Sequence, residues 1–345
     1  MDSISFGLVG YGRFSRMHVR ALSQIPGASV GSVSAGSEKS AQEAEKELEG
    51  VPVYLDYDEF LRSSKVDAVD IVTPNYLHTG LAIKALNSGK DVYLEKPMAI
   101  SISEARKLAE AQKKSGRKIQ IGFEMRYSNF WKAVKATLER GDIDSPILGK
   151  IESWRFPMRP GSQGWKYDKQ RVGHQLIEEA IHYSDLANWL FGENSKPRST
   201  FGFIDNKESA DSGILKSAFF VVEFEPNKRF IVIDTLQGFG TDLSLTIAGK
   251  NGALIGAVRA DSDDSPNVES YLKLKDKNDR ASTTNMKLSG QLSDLTSCLK
   301  DFVEAIQKGK ETTAVTVNDG FVSLAICDAA INSMRSGKPE PVQTL

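Results

Sequence analysis

A lysine follows the short apolar run in Asp91 to Met98, reading DVYLEKPM, and its type and place equip it for chemistry. Asp91 to Leu94 reads as a buried strand, and Glu95-Lys96-Pro97 follows at its C-terminal end, the edge where open α/β sheets place ligands. Pro97 fixes its own φ and keeps Lys96 out of the α region, so the ammonium is aimed. An ordinary solvated turn is the plainer reading of the same tripeptide. A second group of residues sits in the amphipathic segment from Gly173 to Leu190, where helical spacing puts Glu178, His182 and Asp185 on one stripe at i, i+4 and i+7. Such a stripe is either a solvated, salt-bridged face or a proton-transfer site. An imidazole that titrates near neutrality both takes and returns a proton, as oxidation of an alcohol by hydride transfer requires. Without cysteine, a Glu/Asp/His stripe does not define a metal site.

The elements that must position these groups begin at the N-terminus. Ile4 to Val9 reads as a buried strand, Gly7-Leu-Val-Gly10-Tyr-Gly12-Arg13-Phe14-Ser15 runs on from it, and Arg16 to Gln24 reads as a helix. Strand, Gly-rich turn and helix in that order form a dinucleotide-binding pattern. Gly10 allows the tight turn, Gly12 admits a pyrophosphate, and the helix entered through Arg13 and Phe14 supplies amide donors. Ser15 stands where glycine or alanine is usual.

The next strand, Ala28 to Ser34, ends without the carboxylate that normally accepts from the adenosine ribose. Its continuation, Ser34-Ala-Gly-Ser37-Glu-Lys39, offers hydroxyls and an ammonium, which suit a 2′-phosphate. The expectation is NADP as preferred cofactor, with NAD as the second. The competing reading makes Ser37 the N-cap of a helix from Glu38 to Leu48 and leaves Lys39 solvated.

Strands and helices keep alternating: Pro52 to Leu55, Tyr57 to Ser63, Val66 to Val72, His78 to Ser88, the Asp91 strand, a helix from Ser101 to Ser115 opened by a Ser101/Glu104 capping box, and Lys118 to Gly122. This order predicts a parallel, doubly wound Rossmann sheet over residues 1–123. Thr73-Pro74-Asn75 closes the fourth strand at the same edge as Glu95-Lys96-Pro97 and can line the nicotinamide ribose, with Asn75 as a donor. His78 serves the same loop or merely caps and packs its helix.

After Gly122 the pattern changes. Glu124 to Arg140 reads as one helix, and Ile151 to Phe156, Ser217 to Glu225, Phe230 to Leu236, Leu243 to Gly249 and Gly252 to Val258 read as longer, alternating strands. Residues 124–345 are therefore expected to form a second, α+β domain with a mostly antiparallel sheet. The long loop Pro157 to Gly173, with Arg159, Trp165, Lys166 and Arg171, reads as functional. Asp261 to Thr284 reads as an exposed hairpin or mobile loop, and Leu292 to Gly309 and Asp319 to Ser336 as helices.

The 44 Lys and Arg nearly balance the 45 Asp and Glu, so no net field draws nucleic acid or a membrane surface. Cys298 and Cys327 lack metal-ligand spacing and read as buried thiols. Without a leader-like N-terminus or a long apolar run, the expected compartment is the cytoplasm.

Taken together, GLVGYG, TPNYLH, the EKP tripeptide, EEAIHYSDLANWL and the closing Val317 to Ala330 and Ser336-Gly-Lys segments resemble the Gfo/Idh/MocA oxidoreductases, the family of glucose-fructose oxidoreductase and inositol dehydrogenase. The resemblance implies hydride transfer between nicotinamide and a secondary alcohol or ketone of a sugar, glycoside or cyclitol, in a homodimer or homotetramer. It also implies that the sheet of residues 124–345 is large and open, that this domain serves substrate binding and oligomerisation, and that its C-terminal helix packs back on the first domain. It makes Lys96 the residue that orients and polarises the reacting oxygen and His182 the acid/base. Glu178 stands where the family has Asp, as second relay group or substrate acceptor. Glu95 joins the cofactor residues, Arg126 and Trp165 lie near cofactor or substrate, and Glu179 joins the substrate set. One other reading keeps the same residues, a glycoside-cleaving enzyme that uses transient oxidation by tightly bound NAD; a third, a non-catalytic dinucleotide-binding regulator, is disfavoured by intact Lys96 and His182.

Overall fold

Six parallel strands in the order β3-β2-β1-β4-β5-β6 build the first sheet of the computed structural model. They are β1 (Ile4–Val9), β2 (Ala28–Ser34), β3 (Val53–Tyr54), β4 (Ala68–Ile71), β5 (Asp91–Glu95) and β6 (Ile119–Gly122). The structure describes residues 3–192, 195–203, 217–261, 268–276, 280–285, 292–310 and 313–345. Strand order reverses between β1 and β4, which opens a crevice at their C-terminal ends. Every residue of β4, β5 and β6 is buried, so both faces of the sheet centre are covered and its strands read as apolar runs.

The connecting helices are α1 (Arg13–Ser23), α2 (Glu38–Glu47), α3 (Tyr57–Ser63), α4 (Asn75–Asn87) and α5 (Ile102–Ser115). At α5 the Ser101 hydroxyl accepts from the Glu104 N–H at 3.3 Å, but the Glu104 carboxylate accepts from Ile100, not Ser101. The expected capping box is thus shifted back by one residue. Gly116 ends α5 in the left-handed region, at φ +66°.

The chain divides into two compact units, Met1–Phe123 with Leu295–Phe321, and Glu124–Asp294 with Val322–Leu345. Helix α9 (Leu295–Gln307) therefore folds with the first sheet. There the Phe302 ring lies 6.1 Å from Phe6 and 5.9 Å from Tyr93, and Cys298 is buried against Tyr93 and Gln120. Both cysteines are buried free thiols.

The second unit carries a nine-stranded sheet in the order β14-β13-β12-β11-β7-β10-β9-β8-β15. Its strands are β7 (Pro146–Trp154), β8 (Pro197–Phe203), β9 (Ser217–Phe224), β10 (Lys228–Thr235), β11 (Thr241–Gly249), β12 (Gly252–Ala260), β13 (Val268–Asp276), β14 (Ala281–Asn285) and β15 (Glu340–Pro341). All neighbours pair antiparallel except β7 and β10, which run parallel. Helix α8 (Ile181–Phe191) packs on one face, where Phe191 meets Phe230 at 5.0 Å and Phe224 at 5.9 Å. The opposite face carries exposed Phe203 and Phe219, stacked at 4.7 Å.

Three readings from sequence change here. The expected helix from Glu124 to Arg140 is a 3-10 turn, Glu124–Tyr127, followed by α6 (Asn129–Glu139). Ser128 breaks it by accepting from the Trp131 N–H at 3.3 Å, which makes it an N-cap. The stretch read as a hairpin or loop contributes edge strands β13 and β14, while residues 262–267 and 277–279 of it lie outside the described residues. Helix α8 is preceded by a π-helical turn, Leu176–Ala180, which puts an extra residue into the turn. Among the described residues, no helix is long and apolar enough to cross a membrane.

Candidate active site

In the first unit the turn after β1 has the shape a dinucleotide needs. Gly10 has φ +93°, and a Cβ there would lie 2.4 Å from the Val72 carbonyl oxygen, so only glycine fits. Its N–H donates to the Ser34 carbonyl at 2.8 Å, tying the turn to the end of β2. At Gly12, the N-cap of α1, an added Cβ would meet nothing within 4 Å, which leaves the backbone open to a ligand. Ser15 is buried, and its hydroxyl accepts from the Gly12 N–H at 3.1 Å. The unusual serine thereby braces the turn. No acid sits in the first turn of α1 to repel a phosphate. These features fit a dinucleotide, with Gly10, Gly12 and the N-terminus of α1 as the groups that would hold its pyrophosphate. Arg13 is exposed, and Phe14 packs edge-on against His18 at 5.0 Å.

At the end of β2, Ser34 is buried, while the exposed Ser37 accepts from the Ser40 N–H at 3.2 Å and caps α2. Lys39 is exposed. At the end of β4, Thr73 packs on the Gly10 turn, Pro74 precedes α4, and buried Asn75 is its first residue, so this helix starts before His78. His78 is 1% exposed, with Nδ1 2.7 Å from the Pro97 carbonyl oxygen and Nε2 2.8 Å from that of Thr73. Both ring nitrogens face backbone carbonyl oxygens, so His78 ties the Thr73 and Pro97 turns together.

At the end of β5 the Lys96-Pro97 bond is cis and Lys96 is half-buried. The Lys96 N–H donates to Glu95 Oε2 at 3.2 Å. Glu95 is 4% exposed and turned inward, where an added Cβ on Gly122 would lie 2.6 Å from its Oε1. Its carboxylate therefore faces the interior of the first unit.

In the second unit, acids pair with cations. Arg126 grips Asp185 with two bonds, Nε to Oδ2 at 2.8 Å and Nη2 to Oδ1 at 2.5 Å, and both side chains are buried. Ser323 Oγ donates to the same carboxylate at 3.2 Å, and the Trp189 ring lies 5.7 Å from the guanidinium. Asp185 is therefore held by a cation, the salt-bridged alternative for that position. Glu178, on the π turn, is buried and ion-paired with Lys166 of the Pro157 to Gly173 loop. His182 is buried in the first turn of α8. Glu179 meets Arg155 at 3.3 Å. Trp165, half-buried, has the Lys166 ammonium 5.5 Å from its ring. The loop is ordered by Tyr167, whose hydroxyl donates to the Met158 carbonyl at 2.8 Å, and by Arg171 on Asp168.

Sequence reasoning missed Arg155 and Asp234. Asp234, at the end of β10, is buried close to Glu179 and Arg155; burial first, then the charge of Glu179, push its carboxyl up to about 7, against the pull of Arg155. The available signal was an acid inside the apolar run FIVIDTL. Among the described residues, no three His, Cys, Asp or Glu side chains gather as a metal site would require.

Comparison with known proteins bears on both units. The family model described as "Oxidoreductase family, NAD-binding Rossmann fold" matches residues 4–123, and that described as "Oxidoreductase family, C-terminal alpha/beta domain" matches residues 135–344. An inositol 2-dehydrogenase of Rubrobacter xylanophilus is 29% identical over 100% of this chain and 94% of its own. A scyllo-inositol 2-dehydrogenase (NAD(+)) of Bacillus subtilis is 28% identical over 96% and 94%. In fold, the chain is similar to a levoglucosan dehydrogenase solved with NADH and levoglucosan, at a TM-score of 0.84 with 19% identity, over 99% of this chain and 100% of that one.

Removing Arg126 leaves a buried carboxylate without its cation. We expect Arg126→Ala to cost about 3–5 kcal/mol in urea unfolding, and Arg126→Met combined with Asp185→Leu to cost clearly less. Equal losses would show that the charge itself is not what the pair protects.

Proposed function

This chain belongs to the Gfo/Idh/MocA oxidoreductase family, and from that premise we propose that it transfers hydride between nicotinamide and a secondary alcohol or ketone of a cyclitol, sugar or glycoside. The observation that carries the reading is in the first unit, where the Lys96 turn ends β5 in the sheet whose β1 ends in the Gly10 to Gly12 turn. Two relatives named as inositol dehydrogenases support a polyhydroxylated substrate.

Oxidising an alcohol removes a hydride from carbon and a proton from oxygen. The dinucleotide, when bound, takes the hydride; residues of this chain handle the proton and its charge. Lys96 orients the hydroxyl and stabilises the developing negative oxygen. His182 accepts the proton and returns it in the reverse direction. Glu178, pinned by Lys166, suits hydrogen-bond acceptance from a substrate hydroxyl better than proton relay. Arg126, Trp165 and Glu179 are assigned to substrate binding, the indole offering a face for a ring.

NADP is the preferred cofactor in this proposal, with NAD accepted. Support comes from the end of β2, where no carboxylate stands and Lys39 is exposed, although Ser37 is occupied in capping. The open sheet face, with Phe203 and Phe219, suits pairing with a second copy of the chain.

Absorbance at the reduced-nicotinamide band, read with NAD and NADP separately against inositols, sugars and glycosides, tests the reaction. Net reduction with one substrate class is expected; product without net reduction would sink the dehydrogenase reading. Lys96→Met should lower kcat by at least about 100-fold with cofactor affinity little changed, and near-normal turnover would remove Lys96 from the chemistry. Lys39→Glu should weaken NADP more than NAD in fluorescence titration; equal weakening would count against the 2′-phosphate contact. Phe219→Glu should lower the mass measured by light scattering, and an unaltered assembly would place the interface elsewhere.

A further inference from the structure

Inside the first unit lies a charged trio that the proposed chemistry does not use. His18, on α1, is fully buried, as is Asp70 in β4. His18 Nδ1 lies 2.8 Å from Asp70 Oδ2, and Nε2 lies 3.3 Å from Glu95 Oε1. The second approach is an ion contact, because neither Nε2 nor Oε1 has an aligned hydrogen bond. Phe14 and Tyr93 close over the imidazole with ring centroids at 5.0 and 5.8 Å.

Charge decides the protonation of the trio. A singly protonated imidazole with its hydrogen on Nδ1 would point a lone pair at the Glu95 carboxylate, which is repulsive in a dry interior. One further proton on the His18–Asp70 pair removes that conflict. Wherever along the 2.8 Å bond it sits, Nε2 then carries a hydrogen toward Glu95. Burial pushes His18 down, but Asp70 and Glu95 outweigh it and hold it raised, at about 10. Burial also pushes Asp70 up while His18 opposes it, as expected of two groups that share a proton.

From Glu95 the connection runs to Lys96. The Glu95 carboxylate is wedged between His18 and Gly122, where a Cβ would collide with it at 2.6 Å, and its other oxygen holds the Lys96 N–H at 3.2 Å. On the far side of the tripeptide, the Pro97 carbonyl is held by His78 at 2.7 Å. The geometry points to His18 as a positioning residue for Lys96: its Nε2–H fixes the Glu95 carboxylate, which fixes the backbone from which the ammonium projects. This inference rests on the proposal that Lys96 polarises the reacting oxygen.

The test compares His18→Gln with Lys96→Met in the full chain, reading kcat, KM and dinucleotide Kd. If His18 positions Lys96, kcat in His18→Gln falls by about 10- to 100-fold, the scale of a small misplacement of a reacting group, while cofactor Kd and KM stay within about threefold of the parent. An unchanged kcat beside an inactive Lys96→Met overturns the positioning role and spares the reading of Lys96. A normal kcat in Lys96→Met overturns that reading itself. Parallel loss of kcat and cofactor affinity in His18→Gln marks general damage to the domain and also overturns the inference. Should His18→Gln fail to fold, Gly122→Ala decides, since it pushes the Glu95 carboxylate without altering charge. A fall in its kcat at constant cofactor Kd supports the inference, and parent-like kcat overturns it.

Discussion

Two carboxylates, Asp70 and Glu95, are buried in the first sheet, and the imidazole of His18 is what makes that arrangement tolerable. An unpaired charge in such surroundings costs several kcal/mol, on the order of the whole stability margin of a domain. The strands must therefore keep α1 docked with His18 inward, and α1 is the helix whose N-terminus completes the Gly12 turn. Packing of the sheet and shape of the dinucleotide turn are thus one constraint. Gly10 and Gly122 serve it from either side, each giving up a side chain because a backbone carbonyl or a carboxylate already fills the space.

The second unit uses the same device with different residues. Arg126 neutralises Asp185 through a two-bond fork, and Lys166 reaches from the Pro157 to Gly173 loop to Glu178. The first pair joins residues 59 apart and the second ties the loop to the turn that follows it, so the ion pairs fix the entry to α8 and the loop that precedes it. A fork to a planar carboxylate constrains orientation as well as distance, which lysine in place of Arg126 would not reproduce. The π turn at Leu176–Ala180 then sets how Glu178 is presented relative to His182. Such turns cost backbone regularity and persist where side-chain contacts compensate, here the buried pair.

Much of this was legible in the sequence because period and punctuation are local properties. Strands β1 and β2 and helix α3 lie where apolar runs and capping residues put them, and the Gly10 to Gly12 turn and the Lys96 turn stand out by residue type alone. Other features depend on partners far along the chain. His18 and Asp70 are 52 residues apart and Arg126 and Asp185 are 59, so nothing local says that either acid is answered by a cation. The stripe of Glu178, His182 and Asp185 was read on an unbroken α-helix, whereas a π turn carries Glu178, and the cations that pair with its two acids lie outside the stripe. Strand β8 escaped notice because PRSTFGF mixes proline, arginine and glycine with its aromatics, and becomes a strand by pairing with β9.

Two of the chain's four imidazoles face opposite demands. In the proposed reaction His182 must gain and lose a proton in each turnover. His18 must do neither. Its folded value, about 10, lies above the ordinary value near 6.5, so its contribution to stability is present in full below about 6.5 and is lost as pH rises through about 10. Across the neutral range the Lys96 turn therefore keeps its anchor. The two carboxylates flanking His18 hold its proton in place, whereas the acids flanking His182 on its own helix and turn are each drawn off to a cation.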